Sequence, residues 1–388
     1  MTEGVGPSLR GSVAISAFYF TFIGALGLYA PYFPIHLRDA GLAPHHVADV
    51  MALSPLAGIV TPPLVAALAD LVRAREWLLR ASSALAALTF LGFFLAGASL
   101  PALIATAAAF ALSRMPLWAL TDSAALDAAA REGGSYGRIR AWGSIGFLLA
   151  VLAGGELLER AGATAVMKAA SVGLFLAAAT AWLVPRPPRP PRRATLADVR
   201  ALLMDRPLAW ILAAMALGQL GFAAHDSCLS LHYAALGIPA RSIGILWAIG
   251  VAAEIALLAR SARLLTRFGG APLFVLSLGV ATGRWALMAV VRDPIALGLL
   301  ASTHAISFGL YYVGAVALVR ERAADETRTA AQGLFAAACA LGSAAGMPIM
   351  GGLFERAGGG PMFALAAVAS LLATVCAFGH LRAVRAAR

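Results

Sequence analysis

The chain has 388 residues, of which 61% are hydrophobic and only 13% charged, with a mean hydropathy of +0.82. A soluble domain carries about a quarter charged residues, so a water-soluble fold is excluded. The net charge of +11 would point to nucleic acid only if the basic residues gathered on a soluble face, and they fall instead between apolar runs.

Those runs, roughly 20 residues each, are long enough for a helix to cross a hydrocarbon core about 30 Å thick. Twelve spans are expected, at residues 11–37, 46–71, 77–98, 101–129, 138–158, 164–184, 207–236, 241–265, 271–291, 294–320, 329–354 and 360–381. The first is too long for a signal-peptide core and is expected to be retained. The alternation of barrel strands is missing, which leaves an all-α polytopic membrane protein. Between spans 6 and 7 lies "VPRPPRPPRRATLADVR", Val184–Arg200, whose Pro and Arg density favours an extended connector. The expected organisation is a six-helix half over 1–184, a cytoplasmic linker over 185–206 and a second half over 207–388. Most of the 30 Lys and Arg residues fall on the side that holds both termini, so both termini are expected in the cytoplasm of a bacterial inner membrane. The basic charge is thus read as topology, and no nucleic-acid partner is expected. Cys228, Cys339 and Cys376 lie inside spans, match no metal spacing and read as packing residues.

"LLERAG", Leu157–Gly162, returns as "LFERAG", Leu353–Gly358, at an offset of 196 residues. The same offset pairs Arg10 with Arg206, His36 with His232 and Gly41 with Gly237. Six spans separate each pair, an even number, so the halves are parallel repeats of one topology, with a solute site expected between them. Gly342 and Gly346 in "GSAAG", and Gly143 and Gly146 in span 5, offer faces for close helix packing.

Ionisable groups at the bilayer centre cost at least ~2.5–3.5 kcal/mol each, so they face a partner or a watery cavity and are functional candidates by default. They are Arg114 and Asp122 in span 4, Arg140 in span 5, Asp226 in span 7, Glu254 in span 8, Arg284 in span 9 and His304 in span 10. None has a like residue at the 196 offset, so the halves share scaffold and differ in charge. Asp122 and Arg140 are close enough along the chain to pair, as a substrate-binding couple or as a structural tie between spans 4 and 5. Glu254 lies mid-helix with no basic neighbour within one turn. It reads as a proton carrier, with a static bridge to Arg284 as the alternative. His304 fits an interhelical donor as well as a proton carrier, and His225 beside Asp226 either faces a cavity or caps the helix.

Six plus six spans, parallel halves and a basic central loop resemble the major facilitator superfamily over the whole chain. The superfamily's signature between spans 2 and 3 survives in "ALADLVRAR", which keeps Asp70, Arg73 and Arg75 but lacks the glycines. That trio is either a cytoplasmic gate, an Asp latched to arginines by charge-assisted hydrogen bonds, or a solvated loop. "YGRIRAWGSIGF" (Tyr136–Phe147), "WAIGVAAEI", "GRW" and "HAISFGLYY" are similar to the phenylpropionate-permease-like and lactose-permease-like branch, the oligosaccharide:proton symporters. The resemblance implies substrate binding by Asp122 and Arg140, with Trp142 of the same motif, and proton coupling by Glu254 and His304 grouped with Arg284. Those symporters carry a second acid one turn after the span 10 His. Here that position is Ser307, which moves the coupling load to Glu254 or Asp226.

The expected function is secondary active transport of a small organic solute by alternating access. The proton gradient is the expected energy source, without cofactor or metal, and the partners are solute, protons and the lipid bilayer, with the chain acting as a monomer. Arg114, Arg140 and Arg284 against few buried acids favour an organic anion such as an aromatic carboxylate, which Arg binds bidentately. Sugar or nucleoside symport and drug efflux use the same scaffold, and a non-transporting receptor or scaffold is the rival of a different class. No enzymatic chemistry is expected, and no Gly-x-x-x-x-Gly-Lys-Ser/Thr loop occurs, so an ATP-driven pump is not expected either.

Overall fold

The computed structural model describes residues 8–72, 75–132, 135–184, 202, 204–323 and 327–386, leaving aside the side chains of 8–10, 62–72, 75, 328–329 and 385–386. Among the described residues there is no strand. Span 1 is α1 (Ser8–Asp39) and span 2 is α2 (Pro44–Val72). Span 3 breaks into α3 (Arg75–Phe90) and α4 (Gly92–Ala96), and span 4 into α5 (Leu100–Arg114) and α6 (Pro116–Arg131). The second break falls at Pro116, which has no N–H to give the preceding turn. Spans 5 and 6 form the 45-residue α7 (Tyr136–Thr180), which leaves helical geometry at Gly162. Forty-five helical residues would reach about 68 Å, twice what a membrane needs.

In the second half, span 7 is α8 (Arg206–Ala235), span 8 is α9 (Ala240–Leu258) followed by the short α10 (Ser261–Phe268), and span 9 is α11 (Gly270–Met288). Span 10 is interrupted: α12 (Pro294–Ser302), a π-helical turn (Ala305–Leu310), then α13 (Tyr311–Arg322). Spans 11 and 12 are α14 (Arg328–Ala357) and α15 (Gly359–Ala386). Asp205 and Asp293 start α8 and α12 as capping residues, accepting the N–H of Leu208 and Ala296. Ten helices among the described residues are long and apolar enough to cross a membrane. With α7 counted as two spans and α2 added, the fold has twelve.

The repeat seen in the sequence is written into the backbone. Gly41 and Gly237 turn with φ of 97° and 74°, and Gly162 and Gly358 both with φ of 78°, a region open to glycine and closed to most side chains. Packing repeats as well. A Cβ on Gly146 of α7 would stand 2.4 Å from the carbonyl oxygen of Phe20 in α1. At the same offset, a Cβ on Gly342 of α14 would stand 2.1 Å from the carbonyl oxygen of Ala216 in α8. Both helix pairs therefore touch backbone to backbone, at matching positions, because glycine removes the one atom in the way.

The chain divides into two compact units, residues 1–41 with 60–190, and residues 42–59 with 191–388. The first is built on α1 packed along α7, the second on α8 packed against α14 and α15. The opening turns of α2 group with the second unit, and their contacts explain why. Ala48 and Pro44 pack on Gly351 of α14, and Glu355 of α14 accepts the backbone N–H of His45 at 3.2 Å and pairs with its ring. Glu355 thus ties α2 to α14 in addition to ending a span, and in the first half Arg160, the repeat mate of Arg356, pairs with Glu156 at 2.5 Å.

Candidate functional site

The charges singled out in the sequence collect in two places, one in each unit. In the first unit, Asp122 of α6 accepts hydrogen bonds from the hydroxyls of Tyr19 and Tyr136, the latter at 3.0 Å. Arg140 of α7 lies over the rings of Tyr19 at 5.2 Å and Trp118 at 5.5 Å. No ion pair joins Asp122 to Arg140 among the described residues; the fully buried Tyr19 stands between them, its hydroxyl on the acid and its face under the cation. A guanidinium held by ring faces keeps its N–H groups available, which a bidentate carboxylate pair would occupy.

Arg114 and Trp142 lie apart from this trio. Arg114, at the end of α5, is buried over Phe110 and Tyr29 in a cluster with Phe33, Phe90 and Phe93. Trp142 is half exposed, edge-on to Phe20, on a groove that also holds Ser12, Ser16 and Arg138. Of the expected gate, Asp70 and Arg75 are helical but their side chains, and the whole of Arg73, lie outside the described residues.

The second unit holds a connected chain of polar groups. Arg284 of α11 is 4% exposed and His304, which precedes the π turn, 9%. Arg284 Nη1 lies 3.1 Å from His304 Nδ1 and donates to Ser307 Oγ at 3.2 Å. His304 Nε2 lies 3.5 Å from Glu254 Oε2 on α9. A guanidinium can only donate, so His304 Nδ1 must be the acceptor, and in neutral His304 the proton therefore sits on Nε2, facing Glu254. Burial and connectivity fix the tautomer.

Ser307 takes the place that the resemblance reserves for an acid, and accepts from Arg284 without neutralising it. Among the described residues no carboxylate lies within 4.0 Å of the Arg284 guanidinium, which rests over the Trp285 ring at 4.4 Å with its buried Nε unbonded. Asp226 of α8 instead sits 3.1 Å from His225 Nδ1, and the His225 ring stacks on His304 at 4.9 Å. Phe222, Trp247, Phe308 and Trp285 wall the group. Between His225, Trp247, Arg284 and His304 lies a cavity of about 20 Å³, room for a single water.

Two features here were not expected from sequence. Tyr19 carries no charge to mark it out in its apolar run, and nothing in "HAISFGLYY" announces a π turn. Such turns are frequent at functional sites. Among the described residues no group of three or more His, Cys, Asp and Glu is placed to hold a metal ion.

Comparison with known proteins agrees with this architecture. The model of the MFS_1 like family matches residues 12–365. The chain is 32% identical to a maltose permease of Geobacillus stearothermophilus over 324 residues, 82% of each chain. It is 26% identical to a probable 3-phenylpropionic acid transporter of Escherichia coli over 359 residues, 90% of this chain and 93% of that one. The crystal structure of the nucleoside transporter NupG is similar with a TM-score of 0.78 at 16% identity, over 96% of this chain and 98% of that one. A bacterial homologue of the human lysosomal transporter Spinster gives 0.72 at 14% identity, over 98% of each. At such identities the structures speak to the fold, and the family match with the permease relatives to the class of activity. The chain belongs to the MFS_1 like family of the major facilitator superfamily, and is an integral membrane transporter of small solutes and not an enzyme.

Proposed function

We propose that the chain is a proton-coupled symporter of a small organic anion, an aromatic carboxylate, working by alternating access in a bacterial inner membrane with both termini cytoplasmic. The observation that carries this reading is Arg284, a buried guanidinium that no carboxylate neutralises among the described residues. An uncompensated buried charge is costly, by several kcal/mol after relaxation. It is accounted for if a carboxylate solute completes the pair during the cycle, with Trp285, Phe308 and Trp247 around the ring of that solute.

The His304 tautomer supports proton coupling. While His304 is neutral it accepts from Arg284 and faces Glu254 with its N–H. A second proton on the ring removes the lone pair that Arg284 uses, so protonation and release of the guanidinium are one event. Glu254 is the carboxylate positioned to take the Nε2 proton of the doubly protonated ring, so that a proton entering at Nδ1 is matched by one leaving at Nε2, and Arg284 freed from His304 is the cation positioned to take the solute. Within the first unit, Asp122, Tyr19 and Arg140 form a separate group able to bind solute. The cavity beside Arg284 admits only water, so solute entry requires its walls to part, which is the conformational half of the cycle. The protein is proposed to do this as a monomer.

A second reading, a neutral sugar as solute, is favoured by the 32% identity to a maltose permease. One experiment separates the two. Purified protein in liposomes is assayed for counterflow of labelled 3-phenylpropionate, maltose and uridine. Exchange of the aromatic acid alone supports the proposal, and exchange of maltose with none of the acid overturns it.

A further inference from the structure

A second cavity, about 880 Å³, opens where the start of α8 and the ends of α13 and α15 meet, lined by Asp205, Arg206, Trp210, Arg322, Phe378 and Arg382 among others. Asp205 is already engaged: besides capping α8, its carboxylate takes two bonds from Arg322, at 3.0 and 2.7 Å. Arg322 is therefore neutralised. Arg206 and Arg382, both exposed, carry no ion pair among the described residues, so the cavity keeps two unbalanced positive charges.

Its other wall is apolar. Trp210 is exposed and its indole lies over Gly379, where a Cβ would stand 2.8 Å from the ring. From Arg382 an exposed seam runs back along α15 through Phe378, Val375, Leu371 and Val368. Steps of three and four residues put all five on one helix face. Charge at the helix end, an amphipathic indole beside it and an unbroken apolar track beyond repeat the layering of a membrane boundary: head group, interface, hydrocarbon.

We propose that this cavity binds an anionic phospholipid, its phosphate between Arg206 and Arg382, its glycerol region beside Trp210 and one acyl chain along the α15 seam. A free phosphate ester would use the arginines and leave the seam idle. A zwitterionic lipid would use the seam but bring an ammonium to two arginines. Only an anionic lipid satisfies both walls. The proposal is independent of which solute the protein carries.

The test is native mass spectrometry of the full-length protein, delipidated in detergent and titrated with phosphatidylglycerol, phosphatidylcholine or glycerol 3-phosphate. Phosphatidylglycerol is expected to bind in preference to phosphatidylcholine, and the double variant R206Q/R382Q to lose about thirtyfold in phosphatidylglycerol affinity, from roughly fivefold for each cation near an anionic head group. R206K/R382K should restore most of it, and the single variant R382Q, at an exposed position near the chain end, should lose about fivefold if the double variant proves unstable. Equal binding of the two lipids by the wild type, or unchanged selectivity in R382Q, overturns the proposal. So does competition by glycerol 3-phosphate at concentrations comparable to the lipid, which would make the ligand a soluble phosphate.

Discussion

Replacing Arg284 by Gln is expected to make the protein more stable and its solute affinity worse, a combination that separates a cation kept for a ligand from one kept for the fold. In the wild type, Arg284 gives up hydration for two hydrogen bonds, to His304 and Ser307, and a face contact with Trp285. Desolvation of the ion costs several kcal/mol, against roughly 1.5–3 kcal/mol returned by each bond to a charged group. Gln fits a smaller volume, keeps one donor for His304 Nδ1 and removes the ion. The net is about 1–2 kcal/mol in favour of the variant, or a rise of roughly 1–3 °C in melting temperature for a protein of this size. A carboxylate solute meanwhile loses a charged partner worth about 1.5–3 kcal/mol, which is roughly ten- to more than hundredfold in affinity. Thermal melts in detergent and equilibrium binding of 3-phenylpropionate read the two effects on the same preparations. A variant that melts well below the wild type while binding within twofold of it would make Arg284 a structural cation and refute the reasoning.

Glu254→Gln removes the proton acceptor and leaves the cavity shape, so proteoliposomes should lose gradient-driven accumulation and keep solute exchange; undiminished accumulation places the coupling elsewhere. Gly342→Ala sets a methyl 2.1 Å from the Ala216 carbonyl oxygen, forcing α8 and α14 apart by about an ångström at a cost of roughly 1–3 kcal/mol, whereas Gly279→Ala, with nothing within 4 Å, should melt at or above the wild type because Ala favours the helix by up to ~1 kcal/mol. Tyr19→Phe deletes one of the two hydroxyls on Asp122 and should cost about 1–2 kcal/mol, read as lost thermal stability that disappears in an Asp122→Ala background, where the acceptor is gone.

The spans, their number and their repeat were legible because lipid imposes a coarse rule: every stretch long and apolar enough must be a helix, and short charged or glycine-bearing turns must separate them. Even the register was readable, since Gly41, Gly162 and their mates are held by backbone conformations that only glycine meets cheaply. The site was legible one residue at a time. Asp122, Arg140, Glu254, Arg284 and His304 stood out because a charge in an apolar run needs a reason, but their partners did not. The reading paired Asp122 with Arg140 by proximity along the chain, and the structure inserts Tyr19 from α1, 103 positions from Asp122, a contact no local pattern encodes. Likewise Ser307 read as a lost acid, when its hydroxyl is the acceptor that leaves Arg284 charged and unneutralised. The π turn escaped because it is set by tertiary packing around His304 and has no composition of its own.

The matched contacts at Gly146 and Gly342 give the molecule a property that few proteins have, an internal control. The same methyl can be added at the same place in two scaffolds of one topology, once in the half that carries Tyr19 and Asp122 and once in the half that carries Arg284 and His304. Whatever the two substitutions do alike reports on the shared contact between helices, and whatever they do differently reports on the chemistry that the copies acquired after they ceased to be identical.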